Sequence, residues 1–316
     1  MKEMSKMTLA GSGHYGIGSA PFAMELEASS AAMTLQRVVK SRDNGFMLGP
    51  LDFEVKQGLV TAVLGPNGSG KSTLFRLIMN LLKPEEGEIA ILGGTAAHID
   101  VRARIGYVPD LTDYAGIAKT VGELADFYAF WYPRWSARQF TELLDAFRLS
   151  RSFKLKSLSK GMERKLAFSL ALSQEPDFLL LDEPTSGMDM TSFRLAMDFL
   201  QSFMEEGNRT ILLATHSVEE VKRLADYIVF LDQGSVHGVY EKDSLFENWR
   251  RVWVDRMPEN PGVIAGVRAV EMNPTRLITE DWQNTERDLN QRDIRISHVQ
   301  PLELDELAGY LHQEKR

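Results

Sequence analysis

The feature that most constrains this chain is a glycine-rich loop between a predicted strand and a predicted helix. The loop, Gly65 to Ser72, fits the pattern G-x-x-x-x-G-K-[ST] without a mismatch. The strand Thr61 to Leu64 precedes it, and the helix Ser72 to Leu82 follows. Glycines let successive backbone N–H groups point inward, and the helix N-terminus adds a partial positive charge. The loop therefore predicts a site for a chain of phosphates.

Individual roles within the loop follow from side-chain chemistry. Lys71 is predicted to reach the β and γ phosphates as a point charge, and the Ser72 hydroxyl is predicted to ligate Mg²⁺. The sequence predicts bound ATP and Mg²⁺. The residues expected to contact the nucleotide are Gly65, Pro66, Asn67, Gly68, Ser69, Gly70, Lys71, Ser72 and Thr73.

A second motif is an apolar strand that ends in two acids. The run Phe178 to Leu181 is followed directly by Asp182 and Glu183. Asp182 is predicted to hold the Mg²⁺ shell, as the acid on the second strand does in phosphate-loop enzymes. Glu183 lies one step beyond the strand and is the candidate general base for a water.

Two polar positions complete the candidate site. His216 follows the apolar strand Ile211 to Ala214, which is predicted to lie beside the acidic strand, so that His216 can contact the γ-phosphate and the catalytic water. Ser159 precedes a predicted helix from Glu163 to Ser173, which it can cap while offering its hydroxyl to an anion. For the Ser159 segment alone, a plain capped helix is the simpler interpretation.

The order of elements predicts a three-layer α/β fold. Short apolar strands alternate with helical stretches from about Thr34 to Leu231, and several strands lack polar alternation, as buried parallel strands do. Residues 1–32 are predicted to be a disordered extension, and 33–240 the main domain, with a helical subdomain at about 111–173. Residues 241–316 are predicted to form a small α+β accessory domain.

Composition narrows the class of protein. The chain has no cysteine, which excludes disulfides and thiolate metal sites. A formal net charge of −8 argues against general nucleic-acid binding, which relies on basic surface. No apolar run approaches the roughly 20 residues needed to cross a bilayer, and we see no secretory signal at the N-terminus. We therefore expect the chain to stay in the cytoplasm.

Taken together, these motifs resemble the ATP-binding cassette (ABC) transporter family, in order and spacing, from about Thr34 to Leu231. Leu158 to Met162 is similar to the family signature, Leu-Ser-Gly-Gly-Gln, and Ser186 to Asp189 to its dimer-contact loop. The resemblance implies a phosphate-loop ATPase fold of ABC type, with His216 as the switch histidine and Asp189 at the nucleotide. The stretch Phe127 to Trp135 further resembles bacterial exporter ATPases encoded beside a GntR-type repressor.

The resemblance also implies partners. In this family the signature of one subunit completes the ATP site of another, so Ser159 and Gly161 are expected to contact the γ-phosphate held by a partner's Lys71. A second ABC subunit is therefore expected, either an identical copy or a paralogue. A membrane permease on a separate chain would hold the subunit at the inner face of the cell membrane.

Several positions depart from the family pattern and leave alternatives open. Where the family has Gln after Tyr-Val-Pro, this chain has Asp110, which either binds Mg²⁺ or lies outside the site. Lys160 stands where Gly is common and either adds charge near the phosphates or is a solvated surface lysine. Adenine usually stacks on an aromatic ring, and here the candidates are Arg42 and Phe46.

Other interpretations also remain open. Trp131 and Trp135 either form an apolar docking patch for the permease or pack internally. An ABC ATPase acting on a ribosome or on nucleic acid is an alternative, although such proteins usually carry two cassettes or a coiled-coil insertion. A phosphate-loop kinase with a small-molecule acceptor would leave the Ser159 segment and His216 without a role.

Overall fold

The secondary structure comes from a computed structural model that describes residues 31–42, 45–110, 114, 116–272 and 274–311. The predicted N-terminal extension lies outside the described residues up to position 30. Ala31 and Ala32 already belong to the first strand, which therefore begins two residues before Met33. The reason is strand pairing, since Ala31 lies opposite Lys56 of the next strand.

The described strands and helices alternate as the sequence predicts. The strands are β1 (Ala31–Ser41), β2 (Met47–Lys56), β3 (Val60–Leu64), β4 (Glu86–Ile91), β5 (Ile105–Val108), β6 (Phe178–Asp182), β7 (Thr210–Thr215), β8 (Tyr227–Asp232), β9 (Ser235–Glu241), β10 (Arg250–Val254), β11 (Val267–Glu271), β12 (Arg276–Thr279) and β13 (Ile296–Pro301). The helices are α1 (Lys71–Ile78), α2 (Ile99–Arg102), α3 (Val121–Trp131), α4 (Ala137–Ala146), α5 (Lys160–Ser173), α6 (Met190–Glu205), α7 (Val218–Leu224), α8 (Lys242–Asn248), α9 (Trp282–Gln291) and α10 (Leu304–Leu311).

The central sheet has the strand order β5-β6-β7-β3-β8-β9. The pairs from β5 to β8 in that order are parallel. The loops that follow β3, β6 and β7 therefore leave the same edge of three adjacent strands, which is where ligands bind in open α/β sheets. This edge carries Gly65, Glu183 and His216.

Both faces of this sheet are covered. Along β6, Leu179 and Leu181 pack into an apolar cluster with helices α3 to α6. Phe178 and Leu180 pack on the other side, with α1 and with the antiparallel sheet β2-β1-β4. Two covered faces explain the continuous apolar runs and confirm the predicted three-layer α/β fold.

Helix α1 is shorter than predicted. It ends at Ile78 instead of Leu82, because Asn80 adopts a left-handed φ of 54°. The N–H groups of Leu81 and Leu82 both turn back to the carbonyl of Arg76. A left-handed residue at this point closes a helix by satisfying its last carbonyls, well before Pro84 is reached.

The described residues divide into two compact units, 31–239 and 240–311. In the second unit, the antiparallel sheet β11-β12-β10-β13 packs against α9. Its core is apolar and consists of Val252, Val254, Ile264, Leu277, Leu289 and Ile294. In the described part of the chain, no helix combines the length and the apolar character needed to cross a membrane.

Candidate active site

A cavity of about 470 Å³ opens at the edge of the sheet where β3, β6 and β7 end. Most of the residues that the sequence predicts for the site meet here. The lining residues are Arg42, Asn67, Gly68, Gly70, Lys71, Ser72, Thr73, Asp110, Asp182, Glu183, Ser186 and His216. The cavity is polar, and it brings together side chains from positions far apart in the sequence.

The glycine-rich loop has a conformation that other residues resist. A Cβ atom on Gly65 would lie 1.9 Å from the carbonyl oxygen of Leu231, so the backbones approach too closely for any side chain. Gly70 has a φ of 113° and precedes α1, whose start has no side-chain cap. The first N–H groups of a helix have no partner within the helix, so an uncapped start can accept an anion.

Lys71 is buried inside the loop that precedes it. Its Nζ donates to the carbonyl oxygens of Gly65 at 2.7 Å and Pro66 at 3.2 Å. Burial lowers the pKa of Lys71, while the nearby carboxylates of Glu183, Asp182 and Asp110 raise it. An ammonium that is desolvated and held by only two carbonyls can exchange them for phosphate oxygens, which are stronger acceptors.

Asp182 ends β6 as a fully buried carboxyl group. Its Oδ1 atom has no hydrogen-bond partner among the described residues. Burial raises the pKa of Asp182 to about 6, although a hydrogen bond from the Ser72 hydroxyl opposes this shift. A buried carboxylate oxygen without a partner, beside a hydroxyl, fits Mg²⁺, which favours oxygen ligands and completes its shell with water and substrate phosphates. The described residues contain no cluster of three or more His, Asp or Glu that would hold a metal unaided.

Glu183 and His216 form a pair at the sheet edge. His216 Nδ1 lies 2.8 Å from Glu183 Oε2, and the N–H of Glu183 donates to the carbonyl of Ala214 at 2.9 Å. The Glu183 side chain is 15% exposed and that of His216 is 67% exposed. A largely buried carboxylate fixed by an imidazole can orient a water and take its proton. Glu183 has a left-handed φ of 52°, which directs its side chain away from the β6 register.

Asp110 lies in this cavity and half of its side chain is exposed. The sequence left open whether it faces the site. Arg164 contacts the Asp110 loop and was not among the predicted site residues. It is a buried charge on α5, and because Glu163 and Lys165 flank it, no signal in the sequence set it apart.

The signature residues lie outside this cavity. The Ser159 hydroxyl accepts from the N–H of Met162 at 3.3 Å and caps α5. A Cβ on Gly161 would lie 2.7 Å from the carbonyl oxygen of Gly187, so a glycine is needed for this close approach. Lys160 is exposed. These positions leave the signature helix available for a site on another molecule.

Asp189 also lies away from the cavity. Its carboxylate accepts from the N–H of Ser192 at 3.0 Å and from Lys165 Nζ at 3.0 Å, and it caps α6. The bonds from Ser192 and Lys165 hold the pKa of Asp189 well below its usual range. Within one chain, Asp189 therefore has a structural role at the start of α6.

Glu220 forms hydrogen bonds next to the catalytic candidates. It is buried, and its Oε1 accepts a hydrogen bond from the Thr185 hydroxyl. Burial raises the pKa of Glu220, and a hydrogen bond involving Thr215 opposes the shift. Thr185 and Thr215 stand close to Glu183 and His216 in the chain, so Glu220 joins the two loops that carry the catalytic candidates. Glu220 was not predicted from the sequence.

The two candidates for contact with the base occupy different places. Arg42 lines the cavity with Asn67 and Gly68. Phe46 lies behind the loop, where its Cζ would be 3.2 Å from a Cβ on Gly70. Arg42, whose guanidinium can stack on a base, lines this cavity, whereas Phe46 lines a neighbouring cavity that shares Asn67 and Gly68.

The raised pKa of Asp182 predicts a pH-dependent stability without metal or nucleotide. The folded chain holds this proton more tightly than the unfolded chain, where the pKa is 3.8. The resulting stability is complete below about pH 4 and is lost as the pH rises through about 6. Asp182→Asn removes this loss, so we expect it to be more stable than wild type at pH 7.5 in EDTA, by up to about 3 kcal/mol.

Thermal melting from pH 4.5 to 8 checks this expectation. The gain from Asp182→Asn is expected to shrink toward pH 4.5, and the exposed control Asp145→Asn is expected to show no such trend. A melting temperature for Asp182→Asn below that of wild type at pH 7.5 in EDTA would contradict the assignment of a costly buried charge.

Comparisons with known proteins find relatives that cover 69% of this chain. A model of the ABC transporter family matches residues 48–186. The chain is 32% identical over 225 residues to "Nod factor export ATP-binding protein I" of Cupriavidus pinatubonensis, covering 69% of each chain. It is 27% identical to "ABC transporter ATP-binding protein YtrB" of Bacillus subtilis, covering 69% of this chain and 75% of the relative. A solved "ATP binding subunit of ABC transporter" aligns with a TM-score of 0.63 at 27% identity, covering 68% of this chain and 92% of that one.

Proposed function

Since the chain belongs to the ABC transporter family, in which it is an ATP-binding subunit that hydrolyses ATP, we propose that ATP-driven closure of two such subunits powers a separate membrane permease. The observation that carries the proposal is the meeting of Lys71, Asp182, Glu183 and His216 at one cavity. Lys71 binds the phosphates, Asp182 would hold Mg²⁺, Glu183 takes a proton from water and His216 orients Glu183, so each residue has a different role in phosphoryl transfer to water.

The chain's own residues account for the hydrolytic step. Lys71 and the loop N–H groups hold the phosphates, and Glu183 accepts a proton from a water. The water oxygen bonds to the γ-phosphorus while the bond to the β–γ bridging oxygen breaks, which leaves ADP and phosphate. His216 holds the Glu183 carboxylate in place. Ser72 and Asp182 would hold Mg²⁺, which supplies charge neutralisation at the phosphates when bound.

A second subunit fits the geometry of the signature. Ser159 and Gly161 lie outside the chain's own cavity, at the start of the 14-residue helix α5. The positive end of this helix is suited to a γ-phosphate on a partner. We therefore assign Ser159, Gly161 and Asp189 to contacts in a closed dimer, either with an identical copy or with a paralogue.

The permease is proposed to dock on an aromatic patch at the end of α3. The patch consists of Phe127, Phe130 and Trp131, whose exposed fractions are 44%, 80% and 56%. Trp135 is different, because its ring packs 5.1 Å from that of Phe140, which is buried. Exposed aromatic groups clustered on one helix are typical of interaction sites.

Removing the aromatic patch is expected to release the subunit from membranes. The double variant Phe130→Ser/Trp131→Ser should lose co-sedimentation with permease-containing membranes, because the docking contact is apolar. Its basal ATPase rate should stay within about twofold of wild type, since no residue of the patch lines the cavity. Ile99→Ser, an equally exposed apolar position on α2, is the control. Undiminished membrane binding by the double variant would rule out this docking site.

Several finer assignments complete the proposal. Export is favoured because the relatives include ATP-binding proteins named for Nod factor export. The motifs at Leu158 to Leu166 and Phe127 to Trp135 support a place among exporters encoded beside a GntR-type repressor, and the adjacent reading frames test this. We further propose that the subunit is cytoplasmic, lies at the inner face of the membrane and has no nucleic-acid partner. We also propose that its domains span 33–240 and 241–316. An ATPase acting on ribosomes or nucleic acid is not favoured by these relatives.

A further inference from the structure

Arg164 is a buried cation that the hydrolytic mechanism does not use. It lies on α5, one turn after the signature, and only 8% of it is exposed. Its guanidinium donates to the backbone carbonyls of Pro109 and Asp110, and to that of Asp182 at 3.3 Å. The same group lies 3.4 Å from the carboxylate of Asp110. Arg164 therefore joins the Asp110 loop to the end of the acidic strand.

The charges around the cavity explain why such a group is needed. Asp110, Asp182 and Glu183 place three carboxyl groups around the space where a polyphosphate would lie. A neutral glutamine at the position of Asp110 would leave two carboxyl groups there. Exchanging it for a carboxylate adds a negative charge that would repel ATP unless a cation is close to it.

Geometry makes Arg164 that cation. It approaches Asp110 from the core side, so it does not occupy the cavity, and it does not line it. The bonds to the carbonyls of Pro109 and Asp110 fix the loop, and the same guanidinium lies 3.4 Å from the carboxylate of Asp110. A planar guanidinium with several N–H donors can bind the carbonyls and face the carboxylate at once, which a lysine ammonium does less well.

We propose that Arg164 is a positioning residue that offsets the charge of Asp110 and holds this carboxylate at the edge of the nucleotide cavity. The Asp110–Arg164 pair then acts as a unit in which the two charges offset each other. The inference rests on the proposed function, because it assumes that the triphosphate occupies this cavity.

A double-mutant cycle on the full chain tests the pair. The four proteins are wild type, Arg164→Gln, Asp110→Asn and the double variant, and the measured quantity is the Kd for MgATP by calorimetry. Arg164→Gln is expected to weaken binding about tenfold, because it leaves the Asp110 charge without a partner. In the Asp110→Asn background the same substitution is expected to raise the Kd for MgATP by about threefold or less.

The cycle separates charge compensation from a merely structural role. Losing the carbonyl contacts should change the binding free energy by the same amount with or without the Asp110 charge. This contribution therefore cancels when the two backgrounds are compared. Arg138→Gln is the matched control, since its side chain is 89% exposed on α4 and only pairs with Glu142. It should leave the Kd unchanged.

The outcomes are distinguishable. If Arg164→Gln raises the Kd by the same factor in both backgrounds, the role proposed for Arg164 is wrong, although the proposed function stands. If wild type itself binds no MgATP, the proposed function fails first. Should Arg164→Gln not fold, Arg164→Lys keeps the charge and is expected to retain the wild-type Kd within about threefold. A loss above tenfold in folded Arg164→Lys would also overturn the proposal.

Discussion

Glu183→Gln is expected to reduce the turnover number for ATP hydrolysis about a thousandfold while leaving the affinity for MgATP near that of wild type. The amide has the shape of the carboxylate but cannot take a proton from water. The hydrogen bond between His216 and residue 183 is 2.8 Å long in the wild type, and an amide oxygen can still accept it. The variant should therefore bind nucleotide normally and stall before hydrolysis.

A stalled nucleotide should hold two subunits together. Gel filtration of Glu183→Gln with MgATP is expected to show twice the mass of the chain, while wild type should return to the smaller species as ATP is consumed. Glu205→Gln, at an exposed position near the end of α6, is the control and should behave as wild type. A Glu183→Gln protein that hydrolyses ATP at the wild-type rate would remove Glu183 from the mechanism.

Lys71→Ala is expected to weaken MgATP binding about a hundredfold, because a charged hydrogen-bond donor to the phosphates is lost. The free protein should not be less stable than wild type. Burial lowers the pKa of Lys71, which means that the folded state disfavours its charge at neutral pH. A melting temperature equal to or above that of wild type would show that Lys71→Ala folds and that its defect is in MgATP binding.

The control for Lys71→Ala is Lys83→Ala, which removes an exposed lysine after α1. Its MgATP affinity should match wild type in equilibrium titrations. Retention of wild-type affinity by a folded Lys71→Ala would show that the phosphates bind without this ammonium, contrary to the role assigned here.

Local motifs predicted the centre of the site because each spans only a few adjacent residues. The loop Gly65 to Ser72 has a backbone that only glycines allow at two points, so its pattern is distinctive. The apolar strand before Asp182 is recognisable because both faces of the sheet are covered. That Glu183 and His216 meet depends on the strand order, with β6 beside β7, which the alternating pattern already suggested.

Features that depend on distant contacts could not be predicted in the same way. Asp110 and Arg164 are 54 residues apart, and neither position alone indicates the other. Strand β10 was not predicted because Arg250 to Val254 lies in a charged stretch, yet it is a central strand of its sheet. Helix α9 was also missed, since most of its residues are polar and only Thr285 and Leu289 are buried.

The central claim is that one cavity in this chain both holds ATP and activates water against it. Release of inorganic phosphate from MgATP, measured side by side for wild type, Lys71→Ala and Glu183→Gln, tests it most directly. We expect steady release by wild type and almost none by either variant, and of the two variants only Glu183→Gln should retain nucleotide. Equal release by all three proteins would contradict the account.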